Sequence, residues 1–116
     1  MLPKKRRMQR KEFAILLKTV RRYLSPHLSL FVSKNPANEP YFDTKFAFSA
    51  SKKVAKTAVL RNKLRRMGYS AIRDVINRIS PGYMCLFSYK NDPKNVEFSV
   101  LKNEVEKLLS DAGVLI

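Results

Sequence analysis

From Thr44 to Arg73 the chain carries no acidic residue, and from Thr57 onward the same interval has the periodicity of a helix. At about 100° per residue, Leu60, Leu64, Met67, Ala71 and Val75 gather on one side, with Gly68, Ile72 and Ile79 beside them. Asn62, Arg65, Arg66, Tyr69 and Arg73 gather on the other side, and Arg61 and Lys63 sit at the borders. Such a helix needs two partners. Its apolar stripe has to lie on a core, and its other face lacks counter-charge. Solvated helices ordinarily mix signs, because Glu–Lys pairs at i,i+4 stabilise them and like pairs such as Arg61–Arg65 do the reverse. A one-signed face fits a helix whose negative charge comes from phosphates.

The whole chain has the same bias, with 24 Lys+Arg against 9 Asp+Glu and a formal net charge of +15 in 116 residues. A compact state that repels itself to this degree points to a polyanionic partner. Seven Phe, five Tyr and a hydrophobic fraction of 45% make it a folded domain and not a disordered basic tail. The length suits one domain, 1–116, and is too short for two. Arginine dominates the helix, and its planar fork both grips phosphate and stacks on bases. Asn62 adds a donor and an acceptor, and Tyr69 a stacking face.

The rest of the chain supplies a small sheet. Residues 1–9 form a basic arm, expected to be flexible. Glu12 to Tyr23 reads as a short helix, ended by Ser25-Pro26. His27–Ser33 and Tyr41–Ser51 alternate as strands, with Phe46, Phe48 and Ala50 on one face of the second. A basic connector holding Lys52, Lys53 and Lys56 leads to Thr57, a candidate helix cap. The long helix runs from Thr57 to Ile79 and is stopped by Ser80-Pro81-Gly82. Tyr83–Tyr89 is an apolar strand suited to the middle of a sheet. Ser99–Ala112 is a last helix with Leu101, Val105, Leu108 and Leu109 buried, and Gly113 is its terminator. The expected fold is an α/β (α+β) sandwich, in the order α-β-β-(β)-α-β-α: a small mixed sheet packed with a long basic helix and two shorter ones.

The chemistry-bearing residue types are sparse. Cys85 is the only cysteine, so no disulfide framework can form, and its apolar surroundings mark a buried structural thiol. The nine acids are scattered without metal-ligand spacing. The one histidine, His27, has no legible base beside it. The sequence predicts a binding protein with no catalytic residue and no metal or cofactor of its own. The apolar run Phe13–Leu17 is too short for a signal peptide core, and nothing approaches the roughly 18 apolar residues of a membrane span. With no disulfide framework, the expectation is a cytoplasmic protein without a membrane partner. A softer second surface is legible in Phe13, Leu17, Phe31, Ser49, Ser51 and Lys53, where aromatic faces, hydroxyls and a cation suit a single strand.

The segment KFAFSASKKVAKTAVLRNKLRRMGYSAIR resembles the bacterial ribonuclease P protein component. The resemblance is carried by Arg61-Asn62-Lys63-Leu64-Arg65-Arg66, by Ser49, Ser51, Lys52 and Lys53 just upstream, and by a basic opening followed by Phe13. It implies a subunit that assists a catalytic RNA in removing the 5′ leader from precursor tRNA, with Mg2+ held by the RNA. Its implied partners are ribonuclease P RNA and precursor tRNA. Carried over, Arg61, Asn62, Lys63, Arg65 and Arg66 would bind the catalytic RNA, together with Tyr69, Arg73, Lys52 and Lys56 around them. Phe13, Leu17, Phe31, Ser49, Ser51 and Lys53 would line the leader cleft. The family fold also implies a left-handed crossover between parallel strands, the opposite of the usual hand.

The chain departs from the family's usual pattern at several places. Tyr69 stands where a further basic residue is common, with Arg73 one turn on. Leu17 and Phe31 stand where the family often has an aromatic residue and a tyrosine, and Gly68 replaces a larger aliphatic. The alternative is a structural RNA binder of ribosomal-protein type. A DNA partner is disfavoured because no short helix–turn–helix pair is legible.

Overall fold

The computed structural model describes residues 7–8, 21–34, 43–90 and 97–115. Four strands form one mixed sheet: β1 (Arg21–Leu24), β2 (Leu28–Lys34), β3 (Lys45–Ser49) and β4 (Tyr83–Tyr89), in the spatial order β1-β2-β4-β3. Strand β4, the apolar run, lies inside, antiparallel to β2 and parallel to β3. Parallel neighbours need a crossover, and α1 (Ala58–Val75) provides it between β3 and β4. A 3-10 turn, Ile76–Arg78, follows α1, so the last turn tightens before the expected end at Ile79. The second helix, α2 (Phe98–Asp111), packs beside α1.

Alternation sorts the sheet into two faces. Leu28, Leu30 and Val32 pair with Tyr89, Phe87 and Cys85, and Cys85 and Phe87 pair in turn with Phe46 and Phe48. This face carries the core, closed by Leu64, Ala71, Ile72 and Val75 from α1 and by Leu101, Val105, Leu108 and Leu109 from α2. Cys85 is fully buried, and burial pushes its thiol far above the ordinary range, as a structural cysteine requires. Tyr89 donates its hydroxyl to the Leu64 carbonyl at 2.8 Å, satisfying a polar group inside the core.

The first helix expected over Glu12–Tyr23 falls mostly outside the described residues, but its end is corrected. Arg21–Leu24 is strand β1, paired with β2 from Arg21↔Val32 to Leu24↔Ser29. The cause is the turn. Ser25 N donates to the Leu28 carbonyl at 2.9 Å and Leu28 N donates to Ser25 Oγ at 3.2 Å, with Pro26 at the turn's second position. The hairpin this turn starts outweighs the helical periodicity of the residues before it. Of the arm expected over 1–9, residues 7–8 are described: Arg7 pairs with Phe46 at the edge of β3, and Met8 N donates to the Phe46 carbonyl at 3.2 Å.

His27 has a partner that the sequence did not reveal. Glu104, on α2, is buried, and its carboxylate accepts from Ser25 Oγ (2.5 Å), from His27 N (2.8 Å) and from His27 Nδ1 (2.7 Å). Serine and imidazole both bond the carboxylate and not each other, so the trio holds the hairpin to α2 and relays no proton to a nucleophile. Burial works to raise the Glu104 pKa, but the donors from Ser25 and His27 outweigh it and the net shift is downward.

The caps behave as the sequence suggests. Thr57 Oγ1 accepts from Leu60 N at 3.2 Å at the start of α1. At the end of α2, Gly113 takes φ +77°, and the Val114 N→Leu109 O bond of 2.9 Å closes the helix.

Gly68 lies where α1 crosses β3. A Cβ there would fall 2.7 Å from Phe48 Cγ and nearer still to two other ring carbons. Phe48 cannot swing away, because it stacks on Phe87 (4.8 Å, 7°) and meets Tyr69 edge-on (5.2 Å, 74°). Gly68→Ala therefore sets a helix gain of about 1 kcal/mol against overpacking of about 1–3 kcal/mol. A net loss is expected, seen as a melting temperature lower by a few degrees; a rise would refute the contact. Glu104→Gln is expected to cost about 2 kcal/mol at neutral pH. Because the folded pKa lies below the unfolded value of about 4.3, this stabilisation is present above that value. It is lost as pH falls through the folded pKa. Urea titrations of both proteins down the acid limb should show the gap closing there.

Candidate nucleic-acid interface

The apolar stripe of α1 docks on the sheet and turns the rest of the helix outward. Asn62, Lys63, Arg66 and Arg73 are exposed and Arg65 is half-buried. Arg65 Nη1 donates to Asn62 Oδ1 at 2.6 Å, and Arg73 Nη2 donates to Ser70 Oγ at 3.0 Å. These bonds orient the two guanidinium groups without neutralising them. Asp74 is the first acid after the helix's basic run, and it lies 3.4 Å from Lys102 Nζ on α2. Among the described residues, no carboxylate forms an ion pair with Arg61, Lys63, Arg65, Arg66 or Arg73.

Two expectations about this helix are corrected. Tyr69 is not an outward stacking face: it is 8% exposed, its ring against Phe48. It forms the floor of a groove whose walls are Val59, Asn62, Arg65 and Arg66. Burial raises its phenol pKa, against the Phe48 backbone amide and the charges of Arg7 and Arg65, so the neutral hydroxyl is the form present. Leu60, expected in the buried stripe, is 43% exposed, like its neighbour Val59 in the first turn of α1.

The border residues divide. Lys63 points to solvent, whereas Arg61 bends back, and its Nη1 donates to the Ala55 carbonyl at 2.9 Å. That bond ties α1 to the connector, where Val54 N and Ala55 N both donate to the Ser51 carbonyl (3.1 and 2.9 Å) and Val54 and Ala55 are buried. Lys52, Lys53 and Lys56 ride exposed on this turn, continuing the positive surface of α1.

The second surface lies on the opposite face of the sheet. Register puts Phe31, Leu86 and Ala47 in one row and Ser29, Ser88 and Ser49 in the next. Phe31 is half-buried, Ser49 exposed, and the Arg22 guanidinium sits 5.6 Å from the Phe31 ring centroid. Ser51 lies past the end of β3, and its Oγ accepts from Val54 N at 3.4 Å as a turn former. Phe13 and Leu17 lie outside the described residues. Phe31 and Ser49 thus share a face, while Ser51 and Lys53 are exposed in the turn that follows β3. Sequence reasoning missed Arg22 and Ser88. The alternation of β4 could have found Ser88, since it has the phase of Leu86, but its pairing with Ser49 needed the register.

No cluster of three or more His, Cys, Asp or Glu side chains that could hold a metal ion occurs among the described residues. None of the described helices is long and apolar enough to cross a membrane.

Comparison with known proteins agrees with this geometry. The structure is similar to the RNase P protein of Staphylococcus aureus (TM-score 0.81, 19% identity, 98% of this chain and 100% of that one). It is similar also to the RNase P protein from Thermotoga maritima (TM-score 0.79, 18% identity, 90% and 96%). At those identities the likeness establishes the fold, a mixed sheet with helices. In sequence, the chain is 32% identical to the ribonuclease P protein component of Rippkaea orientalis, covering 98% of this chain and 91% of that protein. It is 28% identical to that of Clostridium botulinum strain Alaska E43, over 89% and 84%. The family model described as Ribonuclease P matches residues 2–113, and with it the basic helix, the sheet and α2 fall into one family: the chain belongs to the ribonuclease P proteins.

Proposed function

We propose that this protein binds ribonuclease P RNA through α1 and the 5′ leader of precursor tRNA through the far face of the sheet. In doing so it promotes removal of the leader. The observation that carries the reading is the cationic face of α1, which no carboxylate among the described residues compensates, with Asn62 and Arg65 held in register by their own hydrogen bond. Arg65, Arg66 and Lys63 take phosphates of the catalytic RNA, and the groove over Tyr69 admits a backbone turn or base edge. Arg61 acts by positioning, through Ala55. Lys52, Lys53 and Lys56 extend the same field towards the substrate. On the far face, Phe31 offers a ring for one leader base and Ser49 and Ser88 offer hydroxyls.

In this reading the chemistry belongs to the RNA and the Mg2+ it holds, and the protein contributes no reacting group. Its part is electrostatic. Two polyanions, catalytic RNA and precursor, must approach, and the protein's cations screen their repulsion and release bound counterions. The protein therefore acts where the RNA does, in the cytoplasm, and its effect is largest at low Mg2+.

Precursor tRNA cleavage at low Mg2+ tests this, with a bacterial ribonuclease P RNA alone, the protein alone and the two together. Cleavage in the mixture only is expected. Cleavage by the protein alone would reveal an active site in the chain, and RNA binding without stimulation would favour a structural RNA binder. Arg65→Ala and Arg66→Ala are each expected to weaken binding of the catalytic RNA about five- to tenfold, near 1 kcal/mol. Each should also make the salt dependence shallower by about one phosphate contact. Phe31→Ala is expected to weaken binding of leader-bearing precursor and leave leaderless tRNA unaffected, as measured by competition binding.

A further inference from the structure

Arg66 is a ridge between two grooves. One is the groove over Tyr69. The other faces α2 and is lined by Lys63, Arg66, Met67, Ser70 and Phe98. Positions 63, 66, 67 and 70 have i, i+3, i+4 and i+7 spacing, a single face of α1 distinct from the one that carries Asn62, Arg65 and Tyr69. Phe98 comes from the first residue of α2. It continues the stripe of Leu101, Val105 and Leu108 one turn past the core, so its ring is 38% exposed.

The charge around this ring is positive. Lys63 and Arg66 flank it, and no acid lines the groove among the described residues. Asp74, one turn beyond Ser70, is held by Lys102, one turn beyond Phe98. Glu97, the residue before Phe98, has its carboxylate 3.4 Å from Ser99 Oγ. Ser70 Oγ accepts from Arg73 and keeps its own proton to donate. An aromatic ring and a thioether between two cations, with a hydroxyl at hand, match an unstacked nucleotide better than a duplex, whose phosphates need no apolar surface. They also match it better than a protein helix, which would need a wider apolar strip and no cationic walls.

We propose that this groove seats one unpaired RNA nucleotide. Its base stacks on Phe98 beside Met67, the phosphates on either side are held by Lys63 and Arg66, and the Ser70 hydroxyl reaches the base edge. The proposal rests on the RNA-binding reading above and enlarges it from a helix face to a surface shared by α1 and α2.

The chain has no tryptophan, so Phe98→Trp places a single reporter in the groove. Wild type, Phe98→Leu, Phe98→Ala and Phe98→Trp are titrated with a bacterial ribonuclease P RNA and with a fully paired RNA duplex, and each is melted to verify folding. Leucine preserves apolar cover without a stacking face. The expected result is about a tenfold loss of affinity for the ribonuclease P RNA with leucine or alanine. Tryptophan should retain affinity, and its emission should be quenched by that RNA and not by the duplex. Unchanged affinity in the folded leucine and alanine variants would overturn the nucleotide site while leaving the RNA-binding reading intact. So would an unquenched tryptophan, and a groove that serves a protein would give both results. Failure of wild type to bind the ribonuclease P RNA would overturn both readings.

Discussion

Phe48 lies flat on Phe87, one strand over, and α1 passes above the pair at Gly68 with no side chain in between. That contact sets how close the helix comes to the sheet. It also sets the helix's rotation, because the residue after Gly68 must place its ring against the edge of Phe48. Once Tyr69 is anchored inward, Asn62, Arg65 and Arg66 are carried to the rim of the groove above it. Lys63, Met67 and Ser70 are turned towards α2. The charged surface is thus aimed by an aromatic stack that bears no charge.

Two acids, one buried and one at the surface, serve architecture. Glu104 is buried under the β1–β2 turn and satisfied by three donors, and Asp74 pairs with Lys102 across the two helices. Neither forms an ion pair with an arginine of α1 among the described residues. A surface ion pair such as Asp74–Lys102 adds at most about 1 kcal/mol, whereas a buried carboxylate without donors would be destabilising. Glu104 is therefore the acid whose donors matter most to the fold, and it does nothing to relieve the repulsion among the outward cations.

Several features were legible before the fold was known. Thr57 as a cap, Tyr83–Tyr89 as an interior strand, Gly113 as a terminator and the four leucine and valine positions of α2 each depend on local chemistry or on one period of a helix or strand. The outward basic face of α1 was legible for the same reason, and so was the family resemblance. The misreadings have a common origin. Tyr69 falls on the charged side of a wheel, yet its long flat side chain packs edge-on against the Phe48 ring. Arg21–Tyr23 continue a helical pattern, yet they pair with β2 because Ser25 and Pro26 fold the chain back. His27 was without a partner in sequence because its partner is 77 residues away.

Charge sign, the absence of acids between Thr44 and Arg73, and the apolar period of the long helix are written in the chain itself, since each is a property of neighbours within a few turns. They suffice to say that one helix lies on a core and turns a one-signed basic face outward. Which side chains share a groove is a different kind of fact. Phe98 and Met67 line one groove, Ser49 joins Ser88, and Glu104 meets His27 only after strands have taken a register and helices a crossing, and those depend on contacts between residues distant in sequence. Local pattern constrains each element, and the packing of the elements makes the surface.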